Sequence, residues 1–258
     1  MKSLDTVLAK LDRPPAAQNW VRLNEFGDEL KTAKRIADLA LGMPPFNYIP
    51  SIVAIADAIR IGLARETAIK MVERAGAPAG REQNAAVVRA FYEHDEVRGY
   101  SRLKTVDNYQ GYFLISREIR VPMRPAVTVI DKGHQVPVIF CGWKSVPLDL
   151  NQRRLLMTVL ENGLFSFTDY MDSPGEVVFY PEGESFKGER QREPEVWHRG
   201  DYQLLSNAEL REQVASYMQA RELARMIIAQ RWAQKRERQR DEQVPAVVEP
   251  SHPDLFKG

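Results

Sequence analysis

Catalytic groups are hard to assemble from this sequence. His94, His134, His198 and His252 are scattered, and none has a second His or a Cys at helical spacing, so there is no zinc-binding pattern. Cys141 is the single cysteine; it lies in an apolar run and reads as a small buried hydrophobe. No phosphate loop, nucleophile elbow or dinucleotide fingerprint occurs, and nothing favours a Ser-His-Asp triad. What remains is cationic. Arg117, Arg120 and Arg124, with Lys132 and Lys144, fall near predicted strand ends, where they could face phosphates. The competing reading is a solvated strand face with Glu118 as local partner. Lys144 closes an apolar strand; it either reaches past the sheet edge to solvate its ammonium or belongs to a site. Residues 52–75 admit a helix-turn-helix, with Ala58 and Gly62 four apart and Arg65, Glu66, Lys70 and Arg74 on the second helix. Asp57 falls where that motif is apolar, and two packed helices give the same pattern.

The elements that must carry these groups follow from periodicity. Ser3 caps a short helix bearing Leu4, Val7, Leu8 and Leu11, and Pro14 and Pro15 stop it. A helix from about Glu25 to Leu41 turns Leu30, Ala33, Ile36, Ala37 and Ala40 inward, with Gly42 as its stop. Pro44 and Pro45 make a bend. Ser51 leads into Ile52, Ile55, Ala58 and Ile59. After Gly62 a helix bears Ala64, Ala68, Met71 and Val72, and another from about Glu82 to Val97 has Ala85, Val88 and Tyr92 in register.

Near Gly99 the period changes. Residues 111–130 are rich in β-branched and aromatic types and read as strand. A turn at Asp131, Lys132 and Gly133 joins them to residues 135–144, an apolar run expected to be a central strand buried on both faces. Asp149 and Gln152 have capping-box spacing and open a helix bearing Leu155, Leu156, Val159 and Leu160. Residues 175–181 form a further strand, and 182–200 read as a loop. Ser206 and Glu209 make a second capping box for a long helix with Leu210, Val214, Tyr217, Ala224 and Ile228 inward. Its basic end holds Arg231, Lys235, Arg236, Arg238 and Arg240, diluted by Glu237, Asp241 and Glu242, and complements the helix dipole. The division is 1–80 as a helical region, 81–205 as an α/β core, 206–243 as the long helix and 244–258 as a disordered tail.

The 258 residues carry 36 Lys and Arg against 35 Asp and Glu, so no overall field draws the chain to nucleic acid or an anionic membrane. The charge is uneven. Residues 1–105 hold 16 basic and 13 acidic groups, 106–181 hold 7 and 8, and 182–258 hold 13 and 14. The charge-poor middle fits a buried sheet between solvated helices. The first residues read as no signal peptide, and no window approaches the roughly 18 apolar residues of a spanning helix. A lone cysteine fits a reducing compartment, so a cytoplasmic protein is expected.

From residue 82 the expected order is helix, two or three strands, helix, strand. With Arg124, Pro125 and Ala126, then Gly142, Trp143 and Lys144, then Gln152, the stretch 82–181 resembles the core of the PD-(D/E)xK nuclease superfamily. In active members of that family, an acid near the start of the second core strand and an acid-x-Lys on the third hold Mg²⁺ and place the attacking water, and a Gln often follows on the next helix. Pro125, Lys144 and Gln152 match. Ala126 and Gly142 stand where the resemblance puts the acids, and neither can ligate Mg²⁺, which needs oxygen donors. The resemblance implies a scaffold without its metal centre.

The sequence therefore predicts an α+β protein of bacterial type, with an N-terminal helical region, a central mixed sheet flanked by helices and a long C-terminal helix. It is expected to be a non-catalytic cytosolic binding protein without cofactor or metal. Arg117, Arg120, Arg124, Lys132, Lys144 and Gln152 are the candidate contacts to nucleic acid, or to a complex that handles it. One alternative is a protein-interaction or regulatory module that uses its helical surfaces. Another is a metal-dependent nuclease with relocated acids, for which Asp131 and Glu118 are the nearest groups, although Asp131 is explained by turn chemistry. No membrane contact is expected.

Overall fold

The computed structural model describes residues 3–42, 46–186 and 189–241. The bend at Pro44 and Pro45 and the tail 244–258 lie outside the described residues. The apolar run after Gly133 becomes the middle strand, β5 (His134–Cys141). Val136, Val138 and Phe140 point to one face, and Ile139 and Cys141 to the other; all five are buried. A strand buried on both faces needs cover on both, and helices supply it. The Lys132 and Gly133 turn has φ of 50° and 85°, which suits a tight two-residue hairpin, and it folds β5 back on β4 (Val127–Asp131). A parallel neighbour needs a crossover. α7 (Leu150–Gly163) provides it, between β5 and β6 (Glu176–Phe179). Antiparallel β1 (Lys104–Val106) and β9 (Glu195–His198) complete a sheet of order β1-β4-β5-β6-β9.

One face of this sheet packs on α4 (Ile49–Ile61) and α6 (Arg81–Arg98), through Ile55, Ile59, Val87 and Phe91. α5 (Arg65–Arg74) lies outside that pair and buries Ala68 and Val72 against it. The other face packs on α7, α2 (Ala17–Leu23) and a second hairpin, β2 (Gly111–Leu114) with β3 (Arg120–Met123). Beyond them α1 (Leu4–Leu8), α3 (Glu29–Leu41) and α8 (Asn207–Asp241) join the same core. The chain is therefore α+β, with the mixed sheet between helical layers and a long last helix. Among the described residues, no helix is long and apolar enough to cross a membrane.

Several expectations need correction. Residues 182–200 are not simply a loop: β7 (Glu182–Phe186) pairs with β8 (Glu189–Arg192), and β9 edges the main sheet. Their polar composition hid them, and β9, as an edge strand, buries only Trp197 among its four residues. α2 was not expected, since no side chain caps its start. α3 begins at Glu29, after the Asp28 cap, and Leu30 is exposed at 52%. Met71 on α5 is likewise exposed at 42%. Both sit at the margin of an otherwise correct apolar face.

Candidate functional site

The chain leaves the main sheet after β1 and returns as β4; the β2–β3 hairpin is the excursion between them. Period-two alternation gives it two unlike faces. Phe113, Val121 and Met123 turn inward, with Phe113 against Trp20 at 6.0 Å between rings. Gly111 and Gly163 let the hairpin meet the end of α7 backbone to backbone: a Cβ on Gly111 would run into the Gly163 carbonyl oxygen. Tyr112, Leu114 and Arg120 face outward. The Arg120 guanidinium lies 5.1 Å from the centre of the Tyr112 ring, and Gln110 Nε2 donates to the Tyr112 hydroxyl at 2.6 Å. Arg117 is exposed in the hairpin turn, and Arg124 is exposed just past β3. Among the described residues, Arg117, Arg120 and Arg124 join no ion pair. Three of the six candidate contacts thus share one projecting element.

The other three lie on other elements. Lys132 sits in the β4–β5 turn, at the far end of β5 from Lys144. An eight-residue strand separates the two by roughly 25 Å. Lys144 is half exposed and pairs with Glu182 at 3.5 Å. Gln152 is buried, and its amide is committed: Oε1 accepts from Asp149 N at 3.1 Å to complete the capping box, and Nε2 donates to Asn24 O at 2.6 Å. It faces no ligand. Trp143 packs on Phe179, and Cys141 is buried, with its thiol pushed up by desolvation.

Ala126 enters β4 and Gly142 leaves β5 at the same end of the sheet. These two positions do not fit a divalent cation. Arg60 Nη2 donates to the Ala126 carbonyl at 2.8 Å. Arg192 Nη1 donates to the carbonyls of Gly142 at 3.1 Å, Trp143 at 3.2 Å and Tyr180 at 2.5 Å. Its Nη2 reaches Gln83 Oε1 at 2.8 Å. A Cβ on Gly142 would lie 2.5 Å from Tyr48 Cδ1, so an acidic side chain has no room there. Guanidinium groups meet these carbonyls, and among the described residues no group of three or more His, Cys, Asp and Glu could hold a metal ion.

Among the described residues, the buried acid with the most side-chain partners is Glu176 at the start of β6, which no motif marks. Arg98 Nη2 bridges Glu176 and Asp131, both at 2.7 Å, and the Tyr100 hydroxyl donates to the other Glu176 oxygen. His198 Nε2 lies 3.8 Å away. Burial, helped by the Glu176 charge, pushes the Tyr100 phenol far up, and burial also pushes Tyr180 up. His94, 3.2 Å from the Tyr180 hydroxyl, is held below the usual imidazole range, chiefly by desolvation. The cluster ties the end of α6 to β4, β6 and β9. A lone acid inside the apolar run 175–181 was its only sequence signal.

No protein-family model matches the chain, and neither a curated protein nor a solved structure matches it.

Proposed function

We propose that this chain is a non-catalytic binding protein that contacts nucleic acid through a degenerate nuclease-like core. The observation that carries the reading is the β2–β3 hairpin, with Arg117, Arg120 and Arg124 exposed and outside any ion pair among the described residues. Unpaired guanidinium groups are the side chains best suited to phosphate oxygens. The element order supports the scaffold: α6, then β1, β4 and β5 in the main sheet, then α7, then β6. Ala126, Gly142 and Lys144 fall at one end of that sheet, and the hairpin springs from the same end. Arg60 and Arg192 on the carbonyls of positions 126 and 142 support a contact role over hydrolysis. The reading includes a cytoplasmic setting, which the lone buried Cys141 supports.

The test is a salt-dependent mobility shift with duplex and single-stranded oligonucleotides. Binding at micromolar protein in low salt is expected, weakening steeply as salt rises. No binding of either form sinks the reading, and plasmid cleavage with Mg²⁺ or Mn²⁺ that is lost in Lys144→Ala would instead support relocated acids. A protein partner is favoured by one observation: Ile49, Val53 and Ile61 lie exposed along α4 at 62%, 49% and 75%. Loss of an associated protein on Val53→Asp, with oligonucleotides still unbound, would establish that reading.

A further inference from the structure

We propose that the outer face of the β2–β3 hairpin is a stacking platform for single-stranded nucleic acid. A base would lie on the Tyr112 and Arg120 pair, and the sugar-phosphate chain would run between Arg117 and Arg124. This rests on the nucleic-acid reading above and narrows it to one kind of strand.

Three features point the same way. The first is the ring. Tyr112 is 40% exposed although its strand neighbours Gly111 and Phe113 are buried, and Gln110 fixes its hydroxyl. A half-exposed, oriented ring offers a flat apolar face, and every base has a matching one. The second is the guanidinium that lies over that ring, 5.1 Å from its centre, a planar cation whose outer face extends the stack. Exposed Leu114 lies opposite Arg120 across the hairpin and adds apolar area beside it. The third is the spread of charge. Arg120 and Arg124 are separated by roughly 13 Å of extended chain, and Arg117 lies beyond the other end in the turn. Cations thus flank the ring along the strand direction, as a backbone track requires. Glu118 is the one acid in that turn, and it is exposed.

A duplex fits this surface poorly. Its bases are stacked on one another and offer only their edges, so a ring on a two-stranded ribbon has no base face to meet. The platform is also rigid from below, because the Gly111 and Gly163 backbones touch and Phe113, Val121 and Met123 are packed into the core.

The experiment is fluorescence anisotropy of the full chain with labelled oligodeoxyuridylate, oligouridylate and a DNA duplex of equal length, across roughly 50–200 mM salt. Expected is tighter binding of the single strands than of the duplex, and the tighter of the two names the sugar. Three phosphate contacts give a log-log salt slope of about −2, and each of Arg117→Gln, Arg120→Gln and Arg124→Gln makes it shallower by about 0.7. Tyr112→Ala weakens single-strand binding about tenfold with the slope unchanged, and Tyr112→Phe keeps the affinity. Duplex binding as tight as single-strand binding overturns the platform and leaves the broader reading standing. So does unchanged affinity in a Tyr112→Ala chain that melts like the parent. Absence of binding to all three probes overturns both.

Discussion

At Gly142 one hydrogen atom decides what the end of the sheet can be. A methyl group there meets the Tyr48 ring, and overpacking of this kind costs about 1–3 kcal/mol. Gly142→Ala is therefore expected to lower the urea midpoint, and Tyr48→Ala in the same chain is expected to remove most of that penalty. Strict additivity of the two substitutions would contradict the contact. His94 sets a pH dependence. Desolvation keeps it neutral in the folded chain, and Arg98 assists, while Glu176 and Asp95 oppose. The folded value lies below the ordinary 6.5, so the unfolded chain binds the proton first. Stability is then full above about pH 6.5 and falls as pH drops through that value toward the lower folded one. Urea titrations over that window should show the decline, and His94→Gln should flatten it. Local chemistry of this scale was legible where its partners are close in sequence. The Asp149 and Gln152 box and the Lys132 and Gly133 turn stand as the spacing predicts. Arg192 was invisible, because its partners Tyr48, Gln83 and Gly142 come from three distant stretches.

Among the elements, the hairpin is the one whose fate separates binding from folding. Gly111→Ala forces a methyl group against the Gly163 carbonyl and should lift the ribbon off α7. We expect a loss of about 1–3 kcal/mol and weaker oligonucleotide binding, with the far-ultraviolet circular dichroism of the helices retained. Unaltered binding with a lowered melting temperature would detach the hairpin from recognition. As sequence, residues 111–130 form one strand-rich stretch; three strands in two sheets occupy it. The boundary is hard to see because Ser116 and Arg117 interrupt an apolar alternation that resumes at Ile119. The candidate arginines were found from charge alone. Tyr112, the partner of Arg120, is not marked by sequence, because which face of a ribbon a ring occupies depends on register.

For the molecule as a whole, the net charge of +1 averages over unlike surfaces, and the unpaired arginines of the hairpin are lost in that sum. On one side of the sheet, α8 holds the outer helices in place. Tyr217, Ala220, Ala224 and Ile228 are buried in the core shared with α3 and α7. At 1.5 Å per residue its 35 residues span about 52 Å, and its last described side chains, from Ala233 to Arg238, are exposed. Ile228→Ala should cost about 2–5 kcal/mol in chemical denaturation. Gln234→Ala, in the exposed turn beyond, should change stability by less than about 0.5 kcal/mol. Equal effects would mean that the helix packs along its entire length.

The grip of α8 on the start of the chain has a consequence for birth on the ribosome. Arg221 holds the Leu11 carbonyl and Asp12, Gln213 reaches Asn24, and Tyr217 packs edge-on to Trp20 at 5.2 Å. Helices that precede the sheet in the chain are therefore covered by a helix that follows it. Until α8 is made, Trp20 and Ile36 must wait with one side bare, and the time they wait is set by the codons that separate them from α8.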